Sequence, residues 1–219
     1  MGRPSLAVER RRQILEAAAR SVARYGLAGS TQERIAAVAG MSRSHVRHYA
    51  GNRDELIDAL WEHVITPYFE EMHAALADRA PHERLPALVD YLFGPRMARN
   101  EDDLVIEALI GGAMHDVRLR GRIYDSYARL EGQIARTIRE AAPGCGPAES
   151  LQLAYALIAM AFGHSTLASL PFPAARHAGM KALALQMIAG LGEGRAAPDG
   201  PVHGGHLSAR TAEERSAGR

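Results

Sequence analysis

Residues 32–49 read QERIAAVAGMSRSHVRHY, and their pattern predicts how the N-terminal part of the chain folds. Ala36 is small enough to lie where two helices cross closely, and Gly40 can adopt the positive φ that a tight turn requires. Val46 supplies the apolar wedge of a second helix. Together these features predict two short helices joined by a tight turn, the helix-turn-helix arrangement, whose second helix enters the major groove of DNA.

The sequence on either side of this stretch predicts three short-to-medium helices in all. A first helix over 6–25 has an apolar stripe and ends at Gly26. Ser30-Thr31-Gln32-Glu33 predicts a capping box that opens the second helix, which ends at Gly40. A third helix begins at Ser42 and reaches Tyr49. The three helices form a small N-terminal domain.

Positive charge is concentrated in the first 50 residues. They hold nine arginines and three glutamates, a net charge of +6, so the remaining 169 residues sum to −5 although the whole chain carries only +1. A basic end on an acidic body is expected where that end meets nucleic-acid phosphates. The nearly balanced total argues against a protein that coats nucleic acid everywhere.

Helical periodicity continues to about residue 191, with Gly and Pro as separators. A long helix begins near Arg53 and continues, kinked at Pro67, to Leu76. Further helices are expected over 83–93, 101–115, 117–141, 147–169 and 174–191. The helix over 147–169 is apolar nearly all round and, with the apolar stripe over 180–191, is a candidate dimer face; burial within one chain is the alternative.

The predicted fold class is therefore all-α, in three parts. Residues 1–52 form a three-helix helix-turn-helix DNA-binding domain, and residues 53–192 form a helical ligand-binding and dimerisation domain. Residues 193–219 are rich in Gly, Pro, Ala, Arg and Ser and are expected to be a disordered tail.

The stretch from Ile14 to Leu60 resembles the N-terminal domain of the tetracycline-repressor (TetR) family. The shared motifs include a helix that ends in Tyr-Gly, Gly-Met-Ser in the turn, His-Tyr at the end of the recognition helix, and Asn-Arg-Asp-Glu-Leu after it. The resemblance implies a homodimer that reads a palindromic operator in double-stranded DNA and a body that holds a small-molecule inducer. The segment from His115 to Arg139 resembles the choline-responsive, BetI-like branch of that family.

Predicted DNA contacts lie on the recognition helix and beside it. Arg43 is expected to read guanine, with Ser42, Ser44 and His45 at the same end of the helix. Further contacts, chiefly to phosphates, are expected from Thr31, Gln32, Arg47, His48, Tyr49 and Arg53.

Aromatic residues and methionines of the body predict a ligand pocket between helices, although most such residues at helical spacing form core. The candidate ligand-binding residues are Trp61, Tyr68, Met97, Glu107, Met114, Tyr155, Met160 and His164. Phe69, Tyr91 and Phe162 are further aromatic candidates. Asp103, Glu107 and His164 would supply polarity for a cationic or hydroxylated ligand.

Two other classes of protein compete with a ligand-responsive repressor. One is a DNA-binding regulator whose body only dimerises. The other is a helical enzyme or metal protein, for which Glu70 and His73 give one Glu-x-x-His and His203 and His206 lie in the tail. Di-iron bundles need a second copy of that motif and two more glutamates, and no nucleophile motif or phosphate-binding glycine loop is present. We therefore expect neither an enzyme nor a cofactor.

Cysteine usage and hydropathy bear on the cellular compartment. Cys145 is the single cysteine, so no intramolecular disulfide can form, as is usual in a reducing cytosol. The arginine-rich N-terminus lacks the apolar segment of a signal peptide, and no membrane-spanning segment is expected. The sequence thus predicts a cytoplasmic protein.

Overall fold

The computed structural model describes residues 5–94, 101–168 and 170–191, and within these ranges it contains helices and no strands. The predicted helices are present in the predicted order, which confirms the all-α fold class. Their bounds are α1 Leu6–Gly29, α2 Gln32–Ala39, α3 Arg43–Ala50, α4 Arg53–Ala77, α5 Pro81–Leu92, α6 Glu101–Ala113, α7 Val117–Ala141, α8 Pro147–Ala168 and α9 Ala174–Ala189. The predicted tail over 193–219 lies outside the described residues.

Capping side chains and glycines place the ends of the first four helices. Gly26 interrupts α1 with φ 70°, where the sequence predicted its end, and one further helical turn follows it. Gly40 ends α2 in the left-handed conformation with φ 65° and ψ 32°. Asn52 and Glu55 form a reciprocal capping box that opens α4, which then continues through Pro67 to Ala77.

The predicted capping box at the start of α2 is wrong by one residue. Thr31, not Ser30, is the N-cap and accepts a hydrogen bond from the Arg34 N–H. The Ser30 hydroxyl is buried and donates to the Gly26 carbonyl at 2.8 Å, so it is used to close the end of α1. With Thr31 as the N-cap, the third helical residue is Arg34 and not Glu33, so the predicted capping box is not formed.

Two clusters of buried side chains form the core. The first joins the three N-terminal helices to α4, α6 and α7, and includes Ile14, Val46, Trp61 and Leu109. The second lies farther along the body, between α4, α5, α7, α8 and α9. The first cluster extends across the predicted boundary at residues 52 and 53. A displacement of α4 or α6 would therefore shift the side chains that pack against the N-terminal helices.

α8 is apolar but poorly covered within a single chain. Of the described helices it is the one long and apolar enough to cross a membrane by length and composition, and 22% of its most apolar window is buried. A helix that packs within or between soluble proteins can meet the same criterion. Its exposed apolar side chains instead mark a face that another surface is expected to cover.

Candidate nucleic-acid interface and ligand cavity

α3 rests on the N-terminal core through a narrow apolar edge. Val46 and Ala50 are buried beneath it, and the Ser42 hydroxyl caps its first turn by accepting from the His45 N–H at 3.2 Å. Ala36 of α2 is buried as well. The conformation that the sequence predicted for a helix-turn-helix is thus present.

The opposite side of α3 is open to solvent. The side chains of Arg43, Ser44, His45, Arg47 and His48, all within the first six residues of α3, are exposed and are called here the exposed row of α3. Among the described residues, the Arg47 guanidinium has no hydrogen bond or ion pair. α3 therefore presents hydrogen-bond donors outward, as the major groove requires of a recognition helix.

Two predicted phosphate-binding residues are engaged inside the protein. Arg53 donates to the carbonyls of Ser30 at 2.7 Å and Leu27 at 2.9 Å, and it thereby fastens α4 to the end of α1. Gln32 donates to the Gly51 carbonyl at 3.1 Å. These bonds give both residues a structural role that the sequence did not predict, while their contacts to DNA stay predictions.

The remaining two predicted contacts lie at the edges of the exposed row. Thr31 is exposed at the N-terminus of α2, where its hydroxyl is the N-cap. Tyr49 is half-buried, and its ring lies edge-on to that of His48, with the two ring centroids 4.7 Å apart. The Tyr49 carbonyl accepts a hydrogen bond from the Arg11 guanidinium at 3.1 Å. Arg11 thus ties α1 to the end of the recognition helix.

A mostly apolar cavity lies within the body, between α4, α5, α6, α7 and α8. Its lining is rich in aromatic side chains and carries two carboxyl groups. The lining residues are Ile65, Tyr68, Phe69, Met72, Tyr91, Leu92, Asp103, Ile106, Glu107, Tyr127, Leu130, Ile158, Ala161, Phe162, Ser165 and Thr166. No arginine, lysine or histidine is among these described lining residues, so the formal charge of the lining is negative.

A chain of hydrogen bonds organises the polar side of the cavity. The Tyr68 hydroxyl donates to Asp103 Oδ1 at 2.9 Å, and the Tyr91 hydroxyl donates to the Tyr68 carbonyl at 2.8 Å. Asp103 is 7% exposed. Burial, and secondarily the charge of Asp103, raises the pKa of Tyr127 to about 12, so this phenol stays neutral at physiological pH.

The structure separates the candidate ligand-binding residues into groups. Tyr68 and Glu107 line the cavity. Met160 and His164 line a different groove, between α8 and α9. Met97 lies outside the described residues.

For three candidates the structure corrects the prediction of a shared pocket. Met114 and Tyr155 are 68% and 67% exposed, because Met114 lies in the turn after α6 and Tyr155 lies on the outer face of α8. Trp61 is fully buried one layer behind the lining, where its indole N–H donates to Ser126 Oγ at 3.0 Å. Tyr127 was not among the predicted ligand-binding residues, although it lies on the apolar stripe of α7 beside Ile123 and Leu130.

No group of three or more His, Cys, Asp or Glu side chains that could hold a metal ion occurs within the described ranges. Glu70 and His73 are exposed on α4. His203 and His206 lie outside those ranges.

Comparisons with known proteins agree on the N-terminal region. The model for the family of bacterial regulatory proteins called tetR matches residues 14–60. The HTH-type transcriptional regulator BetI of Burkholderia thailandensis is 31% identical over 176 residues, which cover 74% of this chain and 85% of that protein. The BetI of Brucella suis biovar 1 is 35% identical over 89 residues, 39% of this chain and 45% of that protein.

Solved structures share the fold over most of the chain. A TetR transcription regulator from Haloarcula marismortui superposes with a TM-score of 0.72 at 16% identity, covering 84% of this chain and 98% of its own. A transcriptional regulator from Saccharomonospora viridis, solved in complex with choline, gives a TM-score of 0.68 at 24% identity, covering 83% and 96%.

Proposed function

This chain belongs to the TetR family of bacterial DNA-binding transcriptional regulators, and from that premise we propose that it is a homodimeric, cytoplasmic repressor released from a palindromic operator by a small cationic ligand. The observation that carries the proposal is the exposed row of α3, with its donors facing outward and Val46 fixed beneath. In this proposal Arg43 reads a guanine, and Arg47 contacts a phosphate.

The dimer is proposed from the uncovered apolar residues of the last two helices. Leu151, Tyr155 and Phe162 of α8 are exposed, as is Leu183 of α9. Exposed apolar side chains of this kind are costly in water, and a second copy of the same helix pair would cover them. Two copies would present two recognition helices to successive major grooves.

The ligand class is proposed from the chemistry of the cavity. Aromatic faces attract cations, and Asp103 and Glu107 place negative charge beside them. The solved regulator from Saccharomonospora viridis holds choline, a quaternary ammonium ion, in its complex. Choline or a related quaternary ammonium compound is therefore the first ligand to test on this chain.

α6 provides the proposed connection between the cavity and the DNA-binding helices. It carries Asp103 and Glu107, and its C-terminal end packs against α1. At Gly112 the packing is so close that an added Cβ would lie 2.3 Å from Leu27 Cδ2. A ligand that shifts α6 would therefore push on α1 and change the spacing of the two recognition helices.

Gel-shift titration tests the DNA-binding part of this proposal. The probe is the duplex that the wild-type protein enriches from a randomised pool, compared with an unrelated duplex of equal length. We expect Arg43→Ala to reduce discrimination roughly tenfold or more, and Arg47→Ala to reduce the salt slope by about 1. Arg136→Ala, on the exposed face of α7, is the control and should bind like the wild type. If Arg43→Ala and Arg47→Ala also bind like the wild type, the assigned interface is wrong.

Choline titration tests the ligand part. Saturating choline chloride should weaken operator binding about 5-fold to 150-fold, the usual range of allosteric coupling. Asp103→Asn should bind the operator without choline and lose the response to it. Normal operator binding with no choline response and no heat of binding in calorimetry would contradict the cationic-ligand proposal while leaving the DNA-binding proposal intact.

A further inference from the structure

An ion pair links the two helices of the helix-turn-helix at its DNA-facing end. Arg43 Nη1, in the first turn of α3, lies 2.9 Å from Glu33 Oε1, in the first turn of α2. Both side chains are exposed, Arg43 to 62% and Glu33 to 58%. A carboxylate is an unexpected group on a surface that approaches phosphates, and charge complementarity alone would disfavour it.

Groups at the start of α2 also interact with the Glu33 carboxylate. Hydrogen bonds from its own backbone N–H and from the Thr31 hydroxyl, with the nearby Arg43 charge, lower the pKa of Glu33. Thr31 can donate its proton to Glu33 because its oxygen is already the acceptor for the Arg34 N–H. The first turn of a helix also favours a negative charge. Glu33 is thus ionised at neutral pH and paired with Arg43.

We propose that Glu33 is a positioning residue for Arg43. Glu33 orients the Arg43 guanidinium toward a guanine and disfavours its binding to phosphates. Glu33 therefore determines the specificity for the operator more than the affinity for DNA. This inference rests on the proposed function. Of the guanidinium donors, the ion pair to Glu33 uses Nη1, so the face that carries Nη2 can turn to the O6 and N7 acceptors of guanine. A guanidinium already held in one orientation loses less side-chain entropy on binding a base.

Glu33 acts against non-specific binding by the same geometry. An unpaired arginine at the tip of α3 would bind any phosphate within its reach, whatever the sequence of the duplex. With Glu33 beside it, Arg43 has to exchange a carboxylate for a phosphate and gains little. A guanine can bind without displacing Glu33.

The test measures a specificity ratio, the dissociation constant for an unrelated duplex divided by that for the duplex enriched by the wild type, across a series of salt concentrations. The variants are Glu33→Gln, Arg43→Ala and the double variant. Glu16→Gln is the matched control, because Glu16 also forms an ion pair with an arginine, Arg12, and is partly exposed, but lies on α1. Thermal melting by circular dichroism checks that all variants fold.

We expect Glu33→Gln to lower the ratio roughly twofold to fivefold, the range that an exposed ion pair allows, chiefly through tighter binding of the unrelated duplex. The control changes the net charge equally and should leave the ratio unchanged. In the Arg43→Ala background, Glu33→Gln should have no further effect on the ratio.

Two results would overturn the inference. One is an unchanged ratio in Glu33→Gln, and the other is the same fall in the ratio with and without Arg43. Both are distinct from failure of the proposed function, in which the wild type itself would enrich no duplex and would bind all duplexes alike.

Discussion

Tyr127 connects the cavity to the layer of side chains behind it. Its ring lines the cavity, and its centroid lies 6.2 Å from that of Trp61, which is buried between α4 and α7. A neutral phenol suits this position, because an ionised one would face Asp103. Tyr127 is therefore a residue whose protonation is linked to the stability of the fold.

The linkage predicts an alkaline loss of stability that Tyr127→Phe reduces. The pKa of Tyr127 is raised to about 12, so its contribution is fully present below the unfolded value near 10 and is lost as the pH rises through 12. Between about pH 9 and pH 12, the free energy of unfolding in urea should fall by about 2 kcal/mol less in Tyr127→Phe than in the wild type. Equal losses in the two proteins would contradict the assignment.

α4 is the element that joins the DNA-binding helices to the body, and ion pairs link it to α7. Asp58 is 17% exposed and accepts from two guanidinium groups of α7, those of Arg118 and Arg122. The Arg122 Nε lies 3.2 Å from Asp58 Oδ2. Asp54, one turn earlier, lies 3.7 Å from Arg118 and is 69% exposed. Asp58 should therefore fix the start of α4 far more firmly than Asp54 does.

Substituting these two aspartates tests that difference. Asp58→Asn should lower the free energy of unfolding by about 1 to 2 kcal/mol, because two arginines lose a shared, half-buried carboxylate. Asp54→Asn makes the same chemical change at an exposed site and should cost less than about 0.5 kcal/mol. Urea denaturation measures both values, and equal costs would show that Asp58 does not hold α4 against α7.

Most helix ends could be predicted from the sequence because capping residues, glycines and prolines mark them locally. The start of α2 could not be placed to the residue, since Ser30 and Thr31 can both cap a helix. Ser30 is taken by a tertiary contact, the bond to Ser21 Oγ at 3.0 Å, which no local pattern reveals.

The cavity was harder to predict than the interface for a physical reason. A recognition helix is defined by a few neighbouring residues on one turn, whereas a cavity is defined by which faces of five helices meet. α8 is apolar nearly all round, so its sequence does not distinguish Tyr155, which is 67% exposed, from Ile158, which lines the cavity. Trp61 of α4 was misplaced for the same reason.

The whole molecule is organised for two copies, if the exposed face of α8 and α9 is the dimer face. The first 50 residues carry a net positive charge, and the rest of the chain carries a net negative charge. A single recognition helix offers few contacts, and specific binding is strengthened when two heads bind together. Dimerisation would then be a condition for operator binding.

A pair of tyrosine substitutions tests this condition. Tyr155→Glu on α8 should shift the protein to the monomer in sedimentation and abolish operator binding, because a buried charge would separate the two copies. Tyr124→Glu on α7 is the matched control, since Tyr124 is 69% exposed and Tyr155 is 67% exposed. The control should remain dimeric and bind normally. A dimeric Tyr155→Glu protein would place the interface elsewhere.

Trp61 has a practical consequence for all of these experiments. It is the chain's single tryptophan, it is fully buried, and its ring lies next to that of Tyr127, which lines the cavity. The ultraviolet-excited emission of the unlabelled protein therefore comes chiefly from one indole at the contact of α4 with α7. Its intensity and wavelength give an intrinsic optical signal for events in the cavity, without any attached dye.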